Sequence, residues 1–451
     1  MKLLLLAALL VSFASTLAAD RPNILFLLTD DQRWDTIRAL GNEDIQTPTF
    51  DRLVQQGFHF TNAYCQGSMV GAVCLPSRSM IATGRSLWKL PPLNAKTTPP
   101  GVSTLPSLMA AAGYTTFHCG KAGNVCAYSN AEFQTNLAMQ ARSADSATEV
   151  ADQAITFLKQ HDATKPFFMY LAPPVPHDPC LAPAGFVKLY DPAKLKLPAQ
   201  FQPQHPFDPG VLDIRDEKLA AYPRTEAAMR QHLAGYYATI SHMDREFGRV
   251  LAMLKERGLE QSTLIIFSSD QGLACGGYHA LMGKQNFYED VKPPLVLAGP
   301  GIPHGHSSAL VYLYDLYPTI LQAAGVPVPA DAAGQSLLPI AHGKAERLRD
   351  FLFGAYANVH RMIRDDRWKL YKFNVAGQKH SRLFDLQTDP RELNDLAANP
   401  AHAEQVKRLD AHLQKARQEF GDPVDFDSAN PVLPEQYRRP VKAGKGKTKQ
   451  P

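Results

Sequence analysis

Asp30 and Asp31 follow directly on a short apolar run, Asn23–Thr29, and Asp270 and Gln271 stand just after a second, Leu264–Ser268. In open α/β sheets ligands bind beyond the carboxyl ends of strands. Three carboxylates and an amide carbonyl converging there form an oxygen-rich site, which suits a hard cation, Ca2+ or Mg2+, better than zinc. The local alternative is that an aspartate after a strand caps the helix that follows. A third segment, Cys74-Leu75-Pro76-Ser77-Arg78, has a different chemistry. Pro76 suits the first turn of a helix. Cys74 then lies at a helix N-terminus, where free N–H groups and the dipole favour an anion. Arg78, four residues on, can reach back to the same spot. A low-pKa nucleophilic thiol and a plain buried cysteine both fit position 74, and on general grounds the buried cysteine fits better.

The elements that must position these residues are legible in outline. Asn23–Thr29, Leu264–Ser268, Phe167–Leu171 and, less strongly, Pro294–Leu297 are apolar without alternation, as expected of strands buried on both faces of a parallel sheet. Between Arg224 and Arg257, residues Met229, Leu233, Tyr236, Ile240, Met243, Phe247, Val250 and Leu254 form one stripe at helical spacing. Strands alternating with helices predict an α/β fold with a large, mostly parallel central sheet flanked by helices. The Pro-rich stretch Leu181–Tyr222 lacks periodicity and reads as a long surface excursion of the kind that shapes binding sites. Near Ala345 the texture changes to short strand-like pieces (Phe351–Tyr356, His360–Arg364, Lys369–Phe373) and a helix over Pro400–Phe420, a smaller C-terminal α+β subdomain. The expected division is a signal peptide over 1–19, a catalytic domain over 20–345, the subdomain over 346–430 and a disordered basic tail over 431–451. The tail also admits a polyanion-gripping role.

Lys2, the apolar run Leu3–Ala14 and the small residues Ala18 and Ala19 make the leader pattern, so a secreted or periplasmic location is expected. A net charge of +4 over 451 residues is small and does not suggest nucleic-acid binding. The six cysteines are scattered, with no C-x-x-C pair and no disulfide framework.

Cys-x-Pro-Ser-Arg followed by Thr83-Gly84-Arg85 resembles the signature of the type I sulfatases of the alkaline-phosphatase-like superfamily. The companions fall in the family's order: Leu28-Thr29-Asp30-Asp31-Gln32, Thr47-Pro48 through Asp51-Arg52-Leu53, Gly113-Tyr114-Thr115 with Gly120-Lys121, Pro176-His177-Asp178-Pro179, Ser269-Asp270-Gln271-Gly272, Gly283-Lys284 through Tyr288-Glu289, and Leu383-Phe384-Asp385-Leu386 with Asp389-Pro390. The resemblance runs from about Arg21 to about Pro400. It implies hydrolysis of sulfate monoesters, with Cys74 converted to Cα-formylglycine by a formylglycine-generating (sulfatase-maturating) enzyme. It implies one Ca2+ or Mg2+ held by Asp30, Asp31, Asp270, Gln271 and position 74. In that scheme a hydroxyl of the hydrated aldehyde attacks sulfur. Arg78, Lys121 and the cation offset negative charge, His177 and Lys284 contact the sulfate, and His177 protonates the leaving alcohol. The second hydroxyl then expels the sulfate by elimination.

One departure stands out. The family usually has a histidine two residues after the first lysine, whereas Lys121 is followed by Ala122, Gly123 and Asn124. Asn124 can hydrogen-bond but is no base, and His118 and His279 are the conceivable substitutes. Arg33, Trp34, His360 and Arg361 are weaker candidates for contacting the organic part of the substrate. Sulfated carbohydrate is the favoured substrate class. The rivals are a formylglycine-dependent phosphate or phosphonate monoester hydrolase and an inactive glycan-binding homologue.

Overall fold

The computed structural model describes residues 21–139 and 142–437. The leader Met1–Ala19 and the tail beyond Tyr437 lie outside the described residues. Thirteen strands are described: β1 Asn23–Thr29, β2 Phe58–Tyr64, β3 Gly67–Ser68, β4 Thr115–Lys121, β5 Thr135–Met139, β6 Phe167–Ala172, β7 Thr263–Ser269, β8 Leu295–Ala298, β9 Gly305–Tyr312, β10 Leu352–Tyr356, β11 His360–Arg364, β12 Trp368–Val375 and β13 Gln378–Asp385. Eight of them form one sheet in the order β5-β4-β6-β1-β7-β8-β2-β9. The neighbours from β5 to β7 are parallel. β8 runs antiparallel to both β7 and β2, so the apolar run at Pro294–Leu297 forms a strand of opposite sense to the one expected.

β1 shows why such runs lack alternation. Ile24, Phe26 and Leu28 enter the core on one face of the sheet, Leu25 and Leu27 the core on the other, and all five are buried. The helix Glu226–Glu256 closes the second face. Its predicted stripe from Met229 to Leu254 is buried throughout, and the Thr225 side chain caps its start by accepting from Ala228 N.

The second sheet has the order β13-β12-β11-β10-β3. The helix Ala403–Phe420 covers it, packing Leu409, Leu413 and Ala416 on Phe353, Ile363, Leu370 and Leu383. Its last strand, β3, comes from just upstream of Cys74 and pairs in parallel with β10. A buried ionic cluster ties the two sheets together: Glu289 is paired with Lys292, Arg364 and Lys369. Together these place the smaller sheet against the segment that carries Cys74.

Candidate active site

β1 and β7 pair in register from Asn23↔Thr263 to Thr29↔Ser269, so Asp30 and Asp270 leave the sheet side by side. Asp270 N donates to the Thr29 carbonyl at 3.1 Å, continuing the ladder one step further. On the other flank Asp30 N donates to the Val175 carbonyl at 3.1 Å, which brings His177 alongside. Lys121 is the last residue of β4, two strands from β1. Asp31 adopts φ 71°, a left-handed conformation that costs a residue with a Cβ about 1 kcal/mol or more. The turn is held from two sides: Asp31 N donates to Asp270 Oδ1 at 3.1 Å, and Tyr236 Oη donates to the Asp31 carbonyl at 2.6 Å.

Cys74 is the first residue of the helix Cys74–Thr83, as Pro76 predicts. Its Sγ lies 3.5 Å from Asp31 Oδ1 and 3.4 Å from Lys284 Nζ. Arg78 does reach back, pairing Nε with Asp270 Oδ2 at 2.8 Å. Lys121 Nζ sits 2.6 Å from Asp30 Oδ2, and Lys284 Nζ 2.5 Å from Asp31 Oδ2. His177 Nε2 is 3.6 Å from Asp31 Oδ2. The nine residues assigned to the metal and to catalysis therefore meet in one place, Gln271 with its amide nitrogen rather than the expected carbonyl, Nε2 donating to Asp31 Oδ1 at 3.2 Å.

Burial sets the electrostatics. Asp30, Asp31 and Asp270 are 0 % exposed. Burial opposes the charge on Asp30, but Lys121, His177, Arg78 and Lys284 outweigh it and hold the carboxyl well below its usual range. Asp270 is pushed up, first by burial and then, against the pull of Arg78, by the like charges of Asp30 and Asp31. The Cys74 thiol is pushed well above its usual range by burial and by Asp270 and Asp31. Burial among carboxylates thus disfavours the thiolate.

Each of the three carboxylates faces a cationic side chain, Asp30 facing Lys121, Asp31 facing Lys284 and Asp270 facing Arg78. Ligand atoms of Asp30, Asp31, Cys74 and Asp270 all lie within 4.8 Å of one another. Three buried carboxylates at that spacing fit a hard divalent cation.

Above them opens a cavity of about 520 Å3 whose walls include Cys74, Lys121, His177 and Lys284. Asn124, Arg142, Arg215, Asp216 and Gln285 are among its other walls. Arg215 and Asp216 come from the Pro-rich excursion, which thus shapes the pocket. Arg215 grips Asp178 with two bonds of 2.6 and 2.8 Å, and Asp178 lies 3.1 Å from His177 Nδ1. Arg142, Arg215 and Asp216 carry no periodicity or motif that would single them out. Gln285 directly follows Lys284, and Asp178 directly follows His177, so those two were within reach of the sequence.

The two conceivable substitute histidines do not line this cavity. His118 points into a side layer against Asn136 and Tyr170, and His279 stacks on Tyr288 at 4.0 Å. Burial holds His118 neutral, down to about 4. Arg33 is fully buried and donates to the Leu273 and Cys275 carbonyls. Arg361 pairs with Asp422, His360 bonds the Pro209 carbonyl, and Trp34 bonds the Glu289 carbonyl. These four pack the fold and do not line the cavity.

The sulfatase family model matches residues 22–326, and a model for the C-terminal part of N-sulphoglucosamine sulphohydrolase matches residues 277–419. An N-acetylglucosamine-6-O-sulfatase of Bacteroides thetaiotaomicron is 27% identical over 93% of this chain and 90% of its own length. A structure solved in complex with its substrate D-glucosamine-2-N,6-O-disulfate superposes with a TM-score of 0.75 at 23% identity, over 91% of this chain and 100% of that one. The phosphonate monoester hydrolase of Agrobacterium radiobacter superposes equally, TM-score 0.75 at 21% identity, over 93% and 100%.

Proposed function

From the premise that the chain belongs to the sulfatase family, whose reaction is hydrolysis of a sulfuric ester, we propose that it desulfates a sulfated carbohydrate outside the cytoplasm. Position 74 acts as formylglycine, installed by a sulfatase-maturating enzyme, and Asp30, Asp31 and Asp270 hold one Ca2+ or Mg2+. The observation that carries this reading is the convergence of Cys74 with three buried carboxylates and two lysines. When present, the aldehyde and the cation supply a nucleophilic hydroxyl and the charge that favours its ionisation.

The remaining roles belong to the chain's own side chains. Lys121 and Lys284, each already facing a carboxylate, orient the sulfate and offset the charge that builds on its oxygens. His177 stands on the cavity wall with Nδ1 turned to Asp178, which leaves Nε2 facing inward to protonate the departing alcohol. Arg78 keeps Asp270 in place.

Peptide mass spectrometry of protein made in its native host tests the reading. Conversion lowers the mass of the Cys74 peptide by about 18 Da, sulfur and two hydrogens being exchanged for oxygen. An intact thiol in active protein would sink it. A phosphonate monoester is the rival of equal charge, consistent with the shared fold of the Agrobacterium hydrolase. Side-by-side turnover of a sulfated sugar and a phosphonate monoester decides between them.

A further inference from the structure

His177 and Lys284 reach the cavity from two different loops, and Arg215 is bonded toward both. Its Nη1 and Nη2 donate to Asp178 Oδ2 and Oδ1 at 2.6 and 2.8 Å. Its Nη2 and Nε also donate to Asp216 Oδ1, at 2.5 and 2.9 Å. From there Gln285 Nε2 donates to Asp216 Oδ2 at 2.9 Å, and Gln285 Oε1 accepts from Lys284 N at 2.9 Å. One guanidinium thus braces the two loops through two carboxylates that are themselves buried.

The His177 end of this chain bears on the chemistry. His177 Nδ1 lies 2.8 Å from the Asp178 carbonyl oxygen and 3.1 Å from Asp178 Oδ1. Both are acceptors, so Nδ1 carries a proton and Nε2 is the atom left for the cavity. The carboxylate oxygen that faces the ring, Oδ1, is one that Arg215 holds. Two parallel N–H bonds fix the plane of a carboxylate as well as its place. Burial opposes the charge on Asp178, but bonds from His177 and Arg215 outweigh it and hold the carboxyl below its usual range. The Arg215 side chain is 59 % exposed, so its own packing adds little.

We propose that Arg215 is a positioning residue: through Asp178 it fixes the His177 ring so that Nε2 meets the oxygen of the departing alcohol. This rests on the proposed function above, in which His177 protonates that oxygen. The contribution is largest where the leaving group most needs the proton. The Pro-rich excursion does not depend on Arg215 for its seat. Glu217 accepts from Met282 N and Gly283 N at 3.1 and 2.7 Å and pairs with the buried Arg224, so the segment stays docked when Arg215 is shortened.

The test measures kcat/KM on 4-nitrophenyl, 4-chlorophenyl and phenyl sulfate. The chains compared are the wild type, Arg215→Gln, Arg215→Lys, Asp178→Asn and the combined Arg215→Gln/Asp178→Asn. Arg215→Gln should lower kcat/KM for phenyl sulfate by about tenfold or more. The loss should shrink as the phenol becomes more acidic, which steepens the dependence of rate on leaving-group pKa. Arg215→Lys keeps the charge without the two-pronged grip and should fall between. The combined variant should lose no more than Asp178→Asn alone, within about twofold, because both changes break one chain of contacts. An absent loss, or a loss equal for all three phenols, overturns the proposal. So does a combined loss equal to the product of the single losses. If the wild type turns over none of the three esters, the proposed function is what has failed. Crystal structures of the wild type and Arg215→Gln then judge the brace alone: a His177 ring turned from its wild-type position supports it, and an unchanged ring overturns it.

Discussion

Lys284 Nζ touches both Asp31 and the sulfur of Cys74, so it sits where the carboxylate site and the nucleophile position meet. Lys284→Ala should lower kcat/KM by about 100- to 1000-fold, the range for removing a donor aimed at transition-state charge. The fall should appear mainly in kcat, with the circular dichroism spectrum retained. Titration of single residues sets a second expectation. His118, His205 and His360 are each held neutral to about 4, burial being the first cause in every case. In the unfolded chain each takes up its proton near 6.5. Between those values the unfolded state binds more protons, so stability is complete above pH 6.5 and is lost as pH falls through about 4. Urea midpoints measured from pH 7.5 to 4 should decline over that window, and His205→Phe should flatten the decline.

Gly120 shows how an element serves the site. A Cβ there would stand 2.1 Å from the Ala172 carbonyl, where β4 lies against β6 just before Lys121. Gly120→Ala must push β4 outward and carry Lys121 with it. Overpacking of this kind costs about 1–3 kcal/mol. We expect a lowered melting temperature together with a loss of kcat/KM of about tenfold or more, because small displacements of positioning groups are amplified in rate. The elements differed greatly in how legible they were. β1, β6 and β7 are buried on both faces, so their residues read as unbroken apolar runs. β4, with Thr-Thr-Phe-His-Cys-Gly-Lys, mixes polar and apolar positions because His118 bonds Asn136 within a packed layer, and periodicity misses it. β3 has two residues, too few for any pattern, and exists only because β10 offers an edge. Asp30, Asp31, Asp270 and Gln271, at the ends of β1 and β7, were legible for the same reason as those strands, whereas Lys121 at the end of β4 was marked only by the family resemblance. Arg142 and Arg215 act from loops far away in sequence, where nothing local marks them.

At the scale of the molecule, the proposed cation would add to the pairing that Arg78, Lys121 and Lys284 already give the three buried carboxylates. Removing divalent ions with EDTA should lower the melting temperature of the converted protein, and Ca2+ or Mg2+ at about 100 times its Kd should restore about 2.7 kcal/mol. A calorimetric scan that is unchanged by EDTA and by added ion would count against the carboxylate cluster as the binding site. The same assembly has a consequence in time. Cys74 is 1 % exposed, its helix is wedged against the sheet, and the strands that enclose it, β1 and β7, lie about 240 residues apart in the chain. An enzyme that oxidises this cysteine cannot reach its backbone once those strands have paired. On the proposed reading, maturation and folding would therefore be rivals for the same nascent chain, and a molecule that folded first would stay unconverted until it unfolded again. Slow, long-range pairing of the central strands would keep position 74 accessible for longer, so under the proposed function the order of synthesis, modification and closure becomes part of how the active protein is made.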